Sequence, residues 1–358
     1  MFSEREQQRY QRHLQLASFG HEGQSALNKS HVCVVGLGGL GCPAALYLAA
    51  AGVGRLTLVD GDTVSLSNLQ RQVLFTEADL EQNKAEVAAR HLTARNSDIE
   101  IEVHAGALVP DSAEALLAST DIVLDCTDNF HTRYLINDVC YYLDIPWVYA
   151  SVLGFAGQMA LFRKGHGCFR CLFPELREVP DCNQAGVLGA VPGVLGAQQA
   201  LAAIRYLSGL HEEQARLFSF DGMGLQMRSV KLSPSPDCPL CAGGETWHDR
   251  LPDYAPRRFD PVPDITVQPS DFARFVQDND PLLVDVRPAE EHQAGNLGGI
   301  NIPAEHLTTE LESHREEGRK VLLYCLMGKR SAMAASVLAE QGFEDILSLE
   351  GGIQGQAN

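Results

Sequence analysis

The 358-residue sequence has no apolar run near the roughly 18–20 residues that a membrane-spanning helix requires. Association with a membrane is therefore not expected. Positive charge is scarce: 28 Lys and Arg stand against 46 Asp and Glu, a net charge of -18. That balance argues against general nucleic-acid binding, where a basic face must neutralise phosphates. It does not exclude a nucleotide, because a few clustered cations make a local positive site. Internal repeats and low-complexity tracts are also absent. The start, Met1–Tyr10, is polar and lacks the apolar core of a secretory signal, so a cytoplasmic location is expected.

What is present is enough for two domains, since single cores stop growing near roughly 250–300 residues. Residues 1–30 read as an amphipathic helical lead-in carrying Tyr10, Leu14 and Leu16. Strand and helix then alternate. His31–Val35, Arg55–Asp60, Ile99–His104 and Asp121–Asp125 read as strands. Cys42–Ala51, Gln82–Arg95 and Glu114–Ala118 read as helices. Such alternation predicts an α/β fold, a Rossmann-like, doubly wound and mostly parallel sheet covered on both faces. Residues 244–263, rich in Gly, Pro, Asp and Arg, read as a linker between a first domain, 1–243, and a smaller α/β domain, 264–358. In the latter Leu282–Val286, Lys320–Tyr324 and Asp345–Leu349 are strand-like, and Glu305–Arg315 and Ser331–Gln341 helical.

Gly36-Leu-Gly38-Gly39-Leu-Gly41 lies between a strand and a helix, the setting of a phosphate-binding turn. Glycine lets the backbone approach a phosphate, and the helix N-terminus offers unpaired N–H groups. Asp60 closes the next strand, 19 residues after Gly41, where an acid takes ribose hydroxyls. Alone this means an adenine nucleotide, with NAD the common reading. The stretch from Asp60 to Arg71 adds Asn68, Gln70 and Arg71 at the same sheet edge. Lys84 follows on the next helix, and Asp125-Cys-Thr-Asp128-Asn129 ends another strand. Two cations and a carboxylate around a nucleotide suit ATP with Mg²⁺, whereas hydride transfer needs an apolar nicotinamide pocket.

The run from Val34 through Arg71, with Asp125–Asn129, closely resembles the ubiquitin-activating-like adenylyltransferases of molybdopterin and thiamine biosynthesis. The resemblance covers roughly residues 4–243. It implies that Asp60 holds the ribose, that Asn68, Arg71 and Lys84 hold phosphates, and that Asp128 supports Mg²⁺ and adenylation. It also implies that Arg12, in Arg9-Tyr-Gln-Arg-His13, enters the partner subunit's nucleotide site in a homodimer. A surface arginine is the plainer reading of Arg12.

Ten cysteines point to metal ligands or reactive thiols. Cys168-Phe-Arg-Cys171 and Cys238-Pro-Leu-Cys241 are two C-x-x-C knuckles, whose tight turns aim four sulfurs at one ion. A Cys₄ zinc site leaves no coordination position open, so its role is structural. Disulfides are the alternative, disfavoured in a cytosolic protein. The family resemblance gives the same ligands. Cys33, Cys42, Cys126 and Cys140 sit in apolar runs and read as core.

Two cysteines remain. Cys182 lies in a polar, Gly- and Pro-bordered stretch. In related activating enzymes the matching cysteine attacks the acyl-adenylate or resolves a later sulfur intermediate. Cys325-Leu-Met-Gly-Lys-Arg330-Ser331 joins a strand to a helix, a loop whose N–H groups stabilise a thiolate or a persulfide anion. Lys329 and Arg330 add positive charge. Residues 264–358 resemble a rhodanese domain, through Asp285-Val-Arg287, Glu291, Gly298–Pro303 and Glu350-Gly-Gly352 besides the loop. Cysteine phosphatases use a similar cradle, but with five residues between Cys and Arg. Here four separate Cys325 from Arg330, which suits sulfur better than phosphate. Two departures from the rhodanese pattern stand out. Asn296 replaces a usual histidine after Gly295, and an aromatic expected after the last Gly-Gly is absent, with Gln356 near its place.

The expected chemistry is ATP-dependent adenylation of the C-terminal glycine carboxylate of a small ubiquitin-like sulfur carrier ending in Gly-Gly. A Cys325 persulfide, loaded by a cysteine desulfurase or thiosulfate, then attacks the acyl group, and Cys182 releases a thiocarboxylate. Open alternatives are a thioester-forming activator of a ubiquitin-like modifier, a nicotinamide oxidoreductase and a non-enzymatic scaffold.

Overall fold

The computed structural model describes residues 2–174, 186–211, 214–244, 246–254, 266–304, 306–316, 318–340, 343 and 345–356. Cys182 and the residues 255–263 of the expected linker lie outside the described residues. Two compact units emerge, Met1–Pro256 and Arg257–Asn358.

The first unit is built on one eight-stranded sheet. Its strands are β1 His31–Val35, β2 Arg55–Val59, β3 Glu100–His104, β4 Ile122–Asp125, β5 Trp147–Leu153, β6 Ala156–Phe162, β7 Arg216–Asp221 and β8 Gln226–Lys231. The order β3-β2-β1-β4-β5 is parallel, and β5-β6-β7-β8 continues it antiparallel. Every residue of β1 is buried, as a central strand covered on both faces must be. Alternate residues serve different cores: Val32 and Val34 join one apolar cluster, Cys33 and Val35 another.

The helices are α1 Glu4–Arg9, α2 Gln11–Leu14, α3 Gly20–Lys29, α4 Gly41–Ala51, α5 Lys84–Arg95, α6 Pro110–Leu117, α7 Phe130–Leu143, α8 Phe169–Leu172, α9 Ala190–Leu207 and α10 Leu251–Tyr254. The lead-in is three short helices, with Tyr10 buried beneath them and Leu16 exposed, outside the core. Helix α4 is alanine-rich and buried almost all round, and Gly52 ends it in the left-handed conformation. Helix α9 packs against α4 because Gly196 has no side chain; a Cβ there would stand 2.2 Å from the Leu40 carbonyl oxygen.

One boundary moves. The expected linker begins at 244, but Trp247 and Tyr254 are both buried in the first unit. Tyr254 Oη donates to the carboxylate of Asp138 on α7, 2.6 Å away. Two aromatic anchors in a polar stretch are too few to show helical periodicity, which is why the sequence reads as a connector there.

The second unit holds a five-stranded, all-parallel sheet in the order β11-β10-β12-β13-β9. Its strands are β9 Thr266–Val267, β10 Leu282–Asp285, β11 Ile300–Asn301, β12 Val321–Tyr324 and β13 Ile346–Leu349. Helices α11 Phe272–Asn279, α12 Ala289–Ala294, α13 Leu307–His314, α14 Lys329–Glu340 and α15 Gly352–Gly355 accompany them. The central strand, β12, is wholly buried and delivers Cys325 at its C-terminal end, the edge where open α/β sheets bind ligands.

Candidate functional site

At the C-terminal edge of the first sheet lies a cavity of about 900 Å³, large for a small-molecule site. Gly36, Gly38, Gly39, Asp60, Asn68, Arg71, Lys84 and Asp128 all line it. The glycines divide by role. Gly36 has φ +90°, and a Cβ there would lie 2.8 Å from the Cys126 carbonyl oxygen. Gly41 does not line the cavity; its Cβ would lie 1.9 Å from the Gly36 carbonyl oxygen, so it closes the turn behind it. Gly38 is different, since its Cβ would meet only Gln72 Nε2, at 3.8 Å. Its bare backbone serves the cavity rather than the packing.

Asp60 accepts backbone N–H groups from Leu37 at 2.6 Å and Asp62 at 2.9 Å. Burial pushes its carboxyl up from the ordinary value, against those hydrogen bonds. Lys84 opens α5 after the N-cap Asn83, whose side chain accepts from Ala85 and Glu86 N–H. A lysine there adds its charge to the positive end of the helix dipole. Its Nζ is 2.9 Å from the Asp62 carboxylate, with the lysine side chain 7% exposed and the aspartate 77%. The spot demands an anion, and an exposed carboxylate answers the demand here. Arg71 donates to the Ser67 carbonyl at 3.2 Å, and Asn68 accepts the Ser65 N–H.

Asp128 is exposed on a turn that two buried residues fix. Asp125, at the end of β4, accepts Arg133 Nε at 2.8 Å and the N–H and hydroxyl of Thr127. Arg133 also donates to the Thr127 carbonyl at 2.8 Å and lies 4.9 Å from the Tyr149 ring centre. Sequence reasoning missed Arg133, which resembles any helical arginine; its only signal is the aromatic company of Phe130 and Tyr134. It also missed Gln72, which lines the cavity, is buried, and has an Oε1 without a hydrogen-bond partner among the described residues. Arg12 stands exposed on α2, hydrogen-bonded to Gln15 at 3.4 Å, and is not part of this cavity's lining.

The four knuckle cysteines converge. Cys168 Sγ lies 3.8 Å from Cys171 Sγ and 3.6 Å from Cys238 Sγ, and Cys171 and Cys241 are 3.7 Å apart. Sulfurs about 2.3 Å from a tetrahedral ion stand about 3.8 Å from one another, whereas a disulfide brings them to about 2.05 Å. The cluster therefore has the geometry to hold a metal ion, with the N–H groups of Ser235 and Cys241 donating to its sulfurs. Arg170, inside the first knuckle, makes a bidentate pair with Asp138 at 2.6–2.9 Å and ties the cluster to α7. Cys33, Cys42, Cys126 and Cys140 are core as expected. Burial pushes the Cys33 and Cys42 thiols up to about 12.

In the second unit Cys325 is 1% exposed and sits where β12 turns toward α14. Glu350-Gly-Gly352 lies directly under its loop. Ile353 and Gln354 N–H groups donate to the Cys325 and Leu326 carbonyls at 2.9 and 3.0 Å. In a planar trans peptide the next N–H points the opposite way, so the Leu326 and Met327 N–H groups turn away from the glycine pair. A Cβ on Gly352 would stand 2.2 Å from the Cys325 carbonyl oxygen, which is why glycine is needed. Arg330 forms a two-pronged pair with Glu291 at 2.8 and 3.0 Å; this holds the Glu291 carboxyl below its ordinary value. Buried Asp285 accepts from Arg287 and from His292 Nδ1. Asn296, in place of the usual histidine, donates to the His292 carbonyl and accepts the Gly298 N–H. Gln356 donates to the Pro269 carbonyl. Both substituted positions are thus accommodated by hydrogen bonds.

A half-parallel sheet with a nucleotide-sized cavity bearing Asp60, Arg71, Lys84 and Asp128 over a glycine turn, and a parallel sheet presenting a cysteine on a tight loop, fit a nucleotide-dependent activating enzyme joined to a sulfurtransferase fold. Residues 10–240 match the ThiF family, and residues 268–358 match the rhodanese-like domain. The chain is 39% identical over 375 residues to "Adenylyltransferase and sulfurtransferase MOCS3-1" of Zea mays, covering 97% of this chain and 80% of that protein. It is 45% identical over 244 residues to "Sulfur carrier protein ThiS adenylyltransferase" of Escherichia coli (strain K12), covering 67% of this chain and 97% of that one. Among solved structures, E. coli MccB with ATP is similar at a TM-score of 0.57 and 26% identity, covering 65% of this chain and 74% of that one. The chain belongs to the ThiF family and carries a C-terminal rhodanese-like domain. It is an enzyme, an adenylyltransferase joined to a sulfurtransferase. Among the described residues no helix is long and apolar enough to cross a membrane.

Proposed function

We propose that the protein uses ATP to adenylate the C-terminal glycine carboxylate of a small ubiquitin-like sulfur carrier ending in Gly-Gly, then sulfurates it from a Cys325 persulfide. The observation that carries this reading is the cavity that gathers Gly38, Asp60, Asn68, Arg71, Lys84 and Asp128 in a chain that also bears the Cys325 loop. The names of the Zea mays and E. coli relatives support both halves.

A carboxylate is a poor electrophile because oxide is a poor leaving group, and AMP is a better one. The carrier's carboxylate oxygen attacks the α-phosphorus, and pyrophosphate leaves. In this reading Asp60 takes the ribose hydroxyls, and the N–H groups beside Gly38 and Gly39 face the phosphates. Lys84 exchanges Asp62 for a phosphate oxygen, while Asn68 and Arg71 hold the remainder. Arg12 adds its charge from the partner subunit of a homodimer. Asp128 would hold Mg²⁺, which would supply charge neutralisation at the phosphates. Zinc on Cys168, Cys171, Cys238 and Cys241 is structural. The site of action is the cytoplasm.

Sulfur comes from a cysteine desulfurase or from thiosulfate, whose outer sulfur passes to the Cys325 thiolate as sulfite leaves. The terminal persulfide sulfur then attacks the acyl carbon and displaces AMP, giving an acyl disulfide. Cys182, as thiolate, attacks Cys325 Sγ; the thiocarboxylate leaves and a Cys182–Cys325 disulfide remains for an external thiol to reduce.

The test is intact mass spectrometry of candidate carriers, among them ThiS-type and molybdopterin-synthase-type proteins, after incubation with the enzyme, Mg²⁺-ATP and each sulfur donor. The expected product carries one sulfur in place of one oxygen. Cys325→Ala should abolish that exchange while pyrophosphate release continues. Carriers that are adenylated by the wild-type enzyme yet never gain sulfur would overturn the transfer half and favour a thioester-forming activator.

A further inference from the structure

Two serines lie buried behind the reactive sulfur. Ser331, at 0% exposure, places its hydroxyl 3.7 Å from Cys325 Sγ and 3.0 Å from the Gly328 carbonyl oxygen. Ser348, on β13 and 3% exposed, donates its hydroxyl to Ser331 Oγ at 2.9 Å. A hydroxyl has one proton to give and two lone pairs to receive. Ser331 can therefore serve the Gly328 carbonyl or the sulfur, not both at full strength. Ser348 occupies its acceptor side in either case.

The geometry points to a two-hydroxyl relay, Ser348 to Ser331 to Cys325, that stabilises negative charge on the cysteine sulfur. With a neutral thiol, Ser331 gives its proton to the Gly328 carbonyl, the closer acceptor. With a thiolate or a persulfide, the hydroxyl rotates onto the sulfur, where the bond is charge-assisted. Donation from Ser348 polarises that bond and keeps Ser331 satisfied during the turn. Such help matters because a sulfur 1% exposed has almost no water to solvate an anion. The charged groups around the loop are few. Arg330 on α14 is paired with Glu291 on α12 and also hydrogen-bonds the Cys325 side chain, Asp285, Arg287 and His292 form their own buried cluster, and Glu350 beyond β13 is exposed. Among the described residues Arg330 and Ser331 on α14 reach the sulfur, and Ser348 backs Ser331 from β13. Ser331 and Ser348 are positioning residues, not nucleophiles.

The inference rests on Cys325 as the sulfur-bearing residue, and its test reads the thiol whether or not sulfur is transferred, so the two readings fail separately. In the full-length chain, the pH dependence of iodoacetamide alkylation is followed on the Cys325 tryptic peptide. Ser331→Ala should slow alkylation about tenfold on the acid side of the profile. Ser348→Ala should shift the profile in the same direction by less, with an unchanged melting temperature, and Ser348→Thr should restore it. If Ser331→Ala does not fold, Ser348→Ala alone decides. A Ser348→Ala profile superimposable on wild type, or shifted to lower pH, overturns the relay.

Discussion

Gly38 and Gly41 belong to one motif, yet the structure assigns them opposite consequences on substitution. At Gly41 an added Cβ would lie 1.9 Å from the Gly36 carbonyl oxygen, a backbone atom that cannot rotate away. Gly41→Ala should therefore destabilise the first unit by more than about 3 kcal/mol, the range of overpacked or strained sites. At Gly38 the same atom meets nothing closer than 3.8 Å, and the backbone there is outside the left-handed region. Gly38→Ala should be neutral or stabilising by about 0.4–1 kcal/mol, because the unfolded chain loses freedom. The methyl group would occupy the space the phosphates need. Losing one charge-assisted hydrogen bond costs about 1.5–3 kcal/mol, which is about a ten- to hundredfold weaker affinity for ATP. Thermal unfolding without nucleotide and calorimetric titration with ATP measure the two effects separately. Unchanged ATP affinity in Gly38→Ala, at a wild-type melting temperature, would refute the placement of phosphate against this turn.

Three further outcomes are expected. Arg133→Met leaves the buried Asp125 carboxylate unpaired, so stability should fall by about 3–5 kcal/mol; kcat for pyrophosphate release should drop with it, because Asp128 loses the turn that holds it, and a folded variant with full activity would contradict this. Burial pushes the Asp79 carboxyl up, but hydrogen bonds from Thr76, His91 and Arg90 outweigh it and bring it down to about 2. Its contribution, about 1–2 kcal/mol, is present above the ordinary aspartate value and lost as pH falls from about 4 to about 2; Asp79→Asn should flatten that part of an acid-unfolding curve, and an unaltered curve would count against it. The purified protein should contain one zinc per chain by elemental analysis, and Cys168→Ser should remove it with a stability loss of more than about 3 kcal/mol; a metal-free wild type of full stability would exclude the structural ion.

Much of this architecture was legible in the sequence, for identifiable reasons. Strands β1, β2 and β4 are buried and short, bounded by turn residues, and they read at nearly their true limits. The nucleotide and cysteine motifs were legible because backbone geometry restricts which residues can occupy them. The antiparallel half of the first sheet was not legible. All six residues of β8 are exposed, so no apolar alternation marks it, and β7 is only partly covered. Buried polar groups were equally silent. Gln199, wholly buried in α9, donates to the Asp125 and Val148 carbonyls at 2.7 and 3.1 Å, a role that depends on where the helix docks. The Ser348–Ser331 pair is of the same kind, while Arg133 and Gln72 take their places from the turns around the cavity.

The contact of Tyr254 with Asp138 bears on where this chain can be severed. The ThiF match ends at residue 240, which invites a cut soon after the last knuckle. A fragment ending there would lack Trp247 and the Tyr254 hydroxyl. Asp138 would keep Arg170 and Asn137 but lose the Tyr254 hydroxyl, along with the cover those aromatics give. The first half is therefore not self-sufficient at the limit of its recognisable motif. A version extended through Tyr254 keeps both anchors, so a different sulfur-transfer module spliced onto it should follow those residues.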